Sequence, residues 1–178
     1  MSKLEKIINY KFSNIQLLKK ALTHSSIDNI NSYERLEFLG DTIFNNIISD
    51  YLFRKFPSDS ESDLSKKRMQ LVNKKYISKI SKSLNLYKYL RIEKNNAISN
   101  RIHCDIYESI IGAIYSDSKN TQIIKKIVKK TLIDKFIKFE DIVDYKVPGG
   151  FLIHELFVRK DLINIFSFRF EKLKNLFS

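Results

Sequence analysis

Three carboxylates, Glu34, Glu37 and Asp41, fall within the eight residues ERLEFLGD (34–41). On a helix advancing about 100° per residue, Glu37 lies about 60° around from Glu34 and Asp41 returns to within about 20° of it, so the three share one face. Like charges so placed repel and raise one another's pKa unless a cation offsets them, and a bound metal is the economical answer. Acids without His or Cys suit a hard ion such as Mg2+, with Mn2+ able to substitute, and argue against zinc. Asp105 and Glu108, three apart in DIYESIIGAIYSD, offer further ligands on a second apolar helix, whose Gly112 and Ala113 permit close helix packing. Two helices crossing there would gather five carboxylates. Each acid alone reads as a solvated group on an amphipathic helix, a reading that weakens for the set of five. His24 reads as a hydrogen-bonding residue near a helix end, and His103 and Cys104 as incidental rather than as zinc ligands.

The elements that must hold these acids are helical. Only four glycines and two prolines occur in 178 residues, against many Ile, Leu, Phe and Lys. That length gives one well-cored domain with a small appendage. Ser13 and Gln16 have capping-box spacing before an apolar run, which predicts a helix over 14–23. Leu36, Leu39, Ile43, Ile47, Leu52 and Phe53 continue the opening motif into a long helix that stops near Pro57. One or two helices joined near Asn73 follow from Leu64 to Leu86, then one through Ile102–Ile114 and another through Ile123–Ile133.

The formal charge of +12 favours a polyanionic partner, although AT-rich coding raises lysine without selecting for phosphate contacts. Residues 66 to 94 hold ten Lys or Arg and one acid, Glu93, with three tyrosines among them. This stretch fits a surface facing phosphates and fits a solvated lysine-rich helix face equally well. A single cysteine excludes an internal disulfide framework, and the amino terminus lacks a signal-peptide core, so a reducing cytoplasmic location is expected. No apolar run approaches the ~20 residues of a membrane span.

ERLEFLGD, with ALTHSS (21–26), ESDLSKKRMQLVN (61–73) and DIYESIIGAIYSD (105–117), resembles the catalytic domain of bacterial ribonuclease III. The blocks follow the family's order and the resemblance covers about residues 5 to 130. It implies an all-α endonuclease fold that forms a homodimer, binds double-stranded RNA along a basic valley, and cuts with Mg2+ to leave 5'-phosphate and 3'-hydroxyl ends. Ribosomal RNA precursors and other RNAs are the implied substrates. Glu37, Asp41, Asp105 and Glu108 match the family's metal-binding acids; Asp41 and Glu108 carry the catalytic role, and Glu34 looks like a supporting first acid. Glu61 matches a further acid near the catalytic valley, and reads equally as a first-turn helix carboxylate. Phe38 resembles an aromatic plug entering the partner subunit, although a helical Phe is most often core. A catalytically silent double-stranded RNA binding protein on the same scaffold is the alternative.

The expected organisation is a catalytic domain over 1–130, a helical end and linker over 131–145, and a divergent tail over 146–178. The family usually adds a double-stranded RNA binding domain. Asp144, Tyr145 and Lys146 match only its opening, before VPGG changes the texture of the chain. The tail is expected to be too short for that module, and either folds as a helix and strand or is coded out of frame.

Overall fold

The structure is a computed structural model that describes residues 2–135. Every element named there is helical, and the one β-bridge, Thr23 to Arg91, stands outside any strand. No described helix is long and apolar enough to cross a membrane.

The longest helix, α3, spans Glu34–Lys55 and buries Leu36, Gly40, Phe44, Ile47, Ile48 and Leu52. These positions recur at three- and four-residue intervals, forming one stripe that faces the core. Helix α6, Asn100–Ser118, is buried on every side from His103 to Ile114. It is the central rod, and α3, α2 (Ile15–Ala21), α5 (Lys74–Ser83) and α7 (Thr121–Val128) lie against it. Ser99 starts α6 by accepting from Ile102 N, and Lys119 ends it in the left-handed conformation.

Helix α4, Glu61–Leu71, and α5 are separate, joined as expected at Asn73, whose side chain caps α5 by accepting from Lys75 N. A 3-10 turn occupies Leu86–Tyr89, and a π-helical turn at Lys129–Ile133 extends α7. Leu132 and Ile133 belong to the same buried core, so the helical body continues at least that far. The sequence-based helix over 14–23 is shorter in the structure and is capped by Asn14, which accepts from Gln16 N. Ser13 is occupied differently: its backbone N–H and that of Asn14 donate to Asp117, which also accepts from the Tyr10 hydroxyl at 2.7 Å. A further helix, α1 (Lys3–Ile8), precedes these and carries a true capping box of Ser2 and Glu5. The expectations for 146–178 lie outside the described residues.

Candidate metal centre

Two glycines set the geometry of the site. A Cβ on Gly40 would stand 1.8 Å from the Glu108 carbonyl oxygen, and one on Gly112 would stand 2.0 Å from that of Leu36. Helices α3 and α6 therefore cross backbone to backbone, and only glycine fits on either side. The acids lie within a turn or so of that contact: Glu37 and Asp41 flank Gly40, while Asp105 and Glu108 precede Gly112.

Burial and mutual repulsion then act on the carboxyls. Asp105 and Glu108 are 3% and 5% exposed. Glu108 is pushed up to about 7, first by burial and then by the charges of Asp41, Asp105 and Glu37, against a hydrogen bond from the Cys104 thiol. Glu37, half-buried, is also pushed up to about 7 by burial and by the neighbouring Asp105 carboxyl. Asp105 is raised as well, chiefly by burial, although Arg101, Lys74 and Tyr33 oppose the shift. Arg101 Nε lies 3.8 Å from Asp105 Oδ2, and the Tyr33 hydroxyl donates to the same oxygen at 3.5 Å. Asp105 Oδ1 is buried and has no hydrogen-bond partner. A cation beside it would offset the cost of burying that charge.

The residues fit a hard divalent cation. They are oxygen donors pressed together by burial and mutual charge, and one of their oxygens, Asp105 Oδ1, is buried without a hydrogen-bond partner. Asp41 is exposed and is oriented by Asn45, whose Nδ2 donates to Asp41 Oδ1 at 2.7 Å.

Glu34 is exposed in the first turn of α3, and its charge is felt by the Tyr33 hydroxyl. Glu61 opens α4 and accepts from the Ser65 hydroxyl. It lines a separate cleft of about 670 Å3 with Asn46, Phe53 and Arg68, which none of the other five acids lines. Phe38 is 78% exposed, so its reading as a core residue is excluded. Leu39, expected to pack inward, is only half-buried and lies off the core stripe of α3.

Sequence reasoning set Cys104 aside, yet its thiol donates to Glu108 Oε1 at 3.2 Å. The signal available was its spacing four residues before Glu108 on one helix face. Asn45 and Arg101 carry the same spacing relative to Asp41 and Asp105. Lys74, on α5, had no such local signal. His103 stays out of the site, stacked edge-on against Tyr87 with ring centroids 5.5 Å apart. His24 behaves as expected, its Nδ1 meeting the Ser26 hydroxyl at 2.9 Å just beyond α2.

The all-helical body is similar to the nuclease domains of ribonuclease III, which gives the class of the protein. A family model described as ribonuclease-III-like matches residues 14–136. Ribonuclease 3 of Acinetobacter baylyi is 35% identical over 170 residues, covering 93% of this chain and 74% of that protein. Ribonuclease 3 of Aliarcobacter butzleri is 39% identical over 153 residues, covering 82% and 68% respectively. A crystal structure of the nuclease domain of ribonuclease III from Campylobacter jejuni superposes with a TM-score of 0.70 at 38% identity, covering 75% of this chain and 94% of that one. The chain belongs to the ribonuclease III family and is an endoribonuclease of that class.

Proposed function

We propose that this chain cleaves double-stranded RNA by Mg2+-dependent phosphodiester hydrolysis, leaving 5'-phosphate and 3'-hydroxyl ends, in processing of ribosomal RNA precursors and other transcripts in the cytoplasm. The observation that carries the reading is the gathering of Glu37, Asp105 and Glu108 at the Gly40–Gly112 crossing, with Asp105 Oδ1 left without a hydrogen-bond partner.

Glu37, Asp41, Asp105 and Glu108 would hold the cation, and Mn2+ satisfies the same oxygens. When bound, the ion supplies Lewis acidity and charge neutralisation at the scissile phosphate. The chain's own residues prepare that chemistry. With their pKa values raised to about 7, Glu37 and Glu108 are each partly protonated at neutral pH without metal, and a bound cation would displace those protons. Asn45 fixes Asp41, and Tyr33 and Arg101 steady Asp105 Oδ2. Glu34 tunes the margin through Tyr33. Lys74 faces the acids from α5, and Lys75, Lys79 and Lys82 continue an exposed basic surface along that helix, suited to backbone phosphates on either side of the cut.

A homodimer fits the exposed Phe38, which offers a large apolar side chain on the helix that carries the acids. Glu61, in its separate cleft at the start of α4, would be a second-tier acid bordering the catalytic valley rather than a ligand of the cation.

The test incubates the purified chain with long double-stranded RNA, with Mg2+ or with chelator, alongside Glu108→Ala and Asp41→Asn. Cleavage by the unaltered chain with Mg2+ alone supports the reading. Equal cleavage in all four samples identifies a contaminating nuclease, and RNA binding without cleavage identifies a silent scaffold.

A further inference from the structure

Cys104 is a soft donor built into a centre of hard ones. Its Sγ, an Asp105 oxygen and a Glu108 oxygen all lie within 4.8 Å of one another. All three residues are buried, and the Asp105 carboxylate among them carries a buried oxygen, Oδ1, with no hydrogen-bond partner. They occupy adjacent turns of α6, so the backbone fixes their spacing.

We propose that Cys104, Asp105 and Glu108 form a site for a thiophilic divalent cation, Zn2+ or Cd2+, whose binding excludes the hard ion and stops cleavage. The inhibition, though not the binding, rests on the function proposed above.

In a tetrahedral site with sulfur at about 2.3 Å and oxygens at about 2.1 Å, ligand atoms stand about 3.6 Å apart. A group already within 4.8 Å closes on such an ion with side-chain adjustments of about 1 Å. As the metal–sulfur bond forms, the thiol proton leaves to solvent and the hydrogen bond to Glu108 is given up. Thiolate favours Zn2+ and Cd2+ over Mg2+ by softness, and the two carboxylates offset the remaining positive charge. The soft ion takes Asp105 and Glu108 away from the hard one, so both cannot be held in full at once.

The chain has one cysteine, so a cadmium–thiolate absorbance band in the near ultraviolet has a single source. The metal-free chain is titrated with Cd2+, beside Cys104→Ala, Cys104→Ser and Asp105→Asn. The expected result is a band saturating at one ion per chain, absent from both Cys104 variants. Asp105→Asn keeps the thiol and weakens Cd2+ binding by about tenfold or more. Separately, the Zn2+ concentration that halves cleavage at fixed Mg2+, referred to each variant's own uninhibited rate, rises about tenfold or more in Cys104→Ser, which retains a hydroxyl donor for Glu108. Absence of the band in the unaltered chain, indifference of Cd2+ affinity to Asp105→Asn, or unchanged Zn2+ sensitivity in Cys104→Ser overturns the proposal. A chain that binds Cd2+ in this way but cleaves nothing overturns the functional reading and leaves the site standing.

Discussion

Gly40→Ala is the substitution whose sign discriminates most sharply. In an exposed helix, replacing glycine by alanine stabilises by about 1 kcal/mol, because alanine loses less backbone entropy on folding. At Gly40 the added methyl would sit 1.8 Å from the Glu108 carbonyl oxygen, 2.7 Å from its carbon and 2.9 Å from Gly112 N. All three are backbone atoms, so no rotamer change relieves the clash. Restoring even 3.0 Å to the oxygen moves α3 and α6 about 1.2 Å apart.

That separation costs more than a usual overpacked core site, and we expect a net loss of about 2–4 kcal/mol after the propensity gain. For a body of this size the midpoint of thermal unfolding falls by about 5–15 °C. The acids move with the helices, so metal affinity and cleavage should each fall by about a hundredfold, measured where the variant is still folded. Circular dichroism on heating, Mn2+ titration calorimetry and single-turnover cleavage provide the three readouts. Gly112→Ala should behave alike, and the double variant should cost less than the two losses combined, since helices already parted for one methyl admit the second more easily. A Gly40→Ala chain more stable than the original and equally active would refute the crossing and the site built on it.

Glu108→Gln removes a buried like charge, so the metal-free chain should melt at a higher temperature while cleavage falls at least about a hundredfold; equal melting temperatures at neutral pH would contradict the repulsion inferred. In chelator, stability should decline as pH rises from about 4.5 to about 7 and level off above. The sign follows because Glu37 and Glu108 bind protons more tightly folded than unfolded, so their contribution is complete below the unfolded pKa and lost through the folded one. Saturating Mn2+ should raise stability most at the alkaline end of that window, as melting curves across pH would record. Asp117→Ala deletes the acceptor for Tyr10, Ser13 and Asn14 and should cost about 2 kcal/mol while leaving Mn2+ affinity unchanged. Phe38→Glu should shift the sedimentation of the chain toward monomer at low micromolar concentration with little change in its metal affinity, since the side chain is already solvent-facing.

Most of the helical frame was legible because its apolar residues repeat at the helical period. The same period placed Glu37 and Asp41 on α3 and Asp105 and Glu108 on α6. What periodicity does not report is how closely two helices approach. Gly40 inside a helical run reads as a propensity cost, and its reason lies some 70 residues away at Gly112. Cys104 was hidden differently: a lone cysteine on an apolar helix looks like packing until Glu108 one turn later is known to be buried beside it. Phe38 reads from the sequence both as a partner-facing plug and as a core residue, and only the direction of the α3 stripe, which buries Phe44 and leaves Phe38 exposed, separates the two. The cap at Asn14 was mistaken for Ser13 because Asp117, more than 100 residues on, had already taken the Ser13 backbone donor.

The crossing also explains why the cluster is not a by-product of the fold. Coulomb repulsion between like charges grows as their separation falls, and in partly buried surroundings it is only weakly screened. A helix pair selected for stability alone would either separate four acids by bulkier contact residues or place apolar side chains beside the glycines. Here Gly40, which lies between Glu37 and Asp41, meets the backbone of Glu108 itself, with Asp105 one turn before it, so the acids of the two helices are brought together rather than held apart. Arg101 and Lys74 oppose part of it, yet Glu37 and Glu108 remain raised to about 7. The unmet charge is thus set by the backbone itself, and a divalent cation at the crossing would turn the same closeness from a cost into coordination.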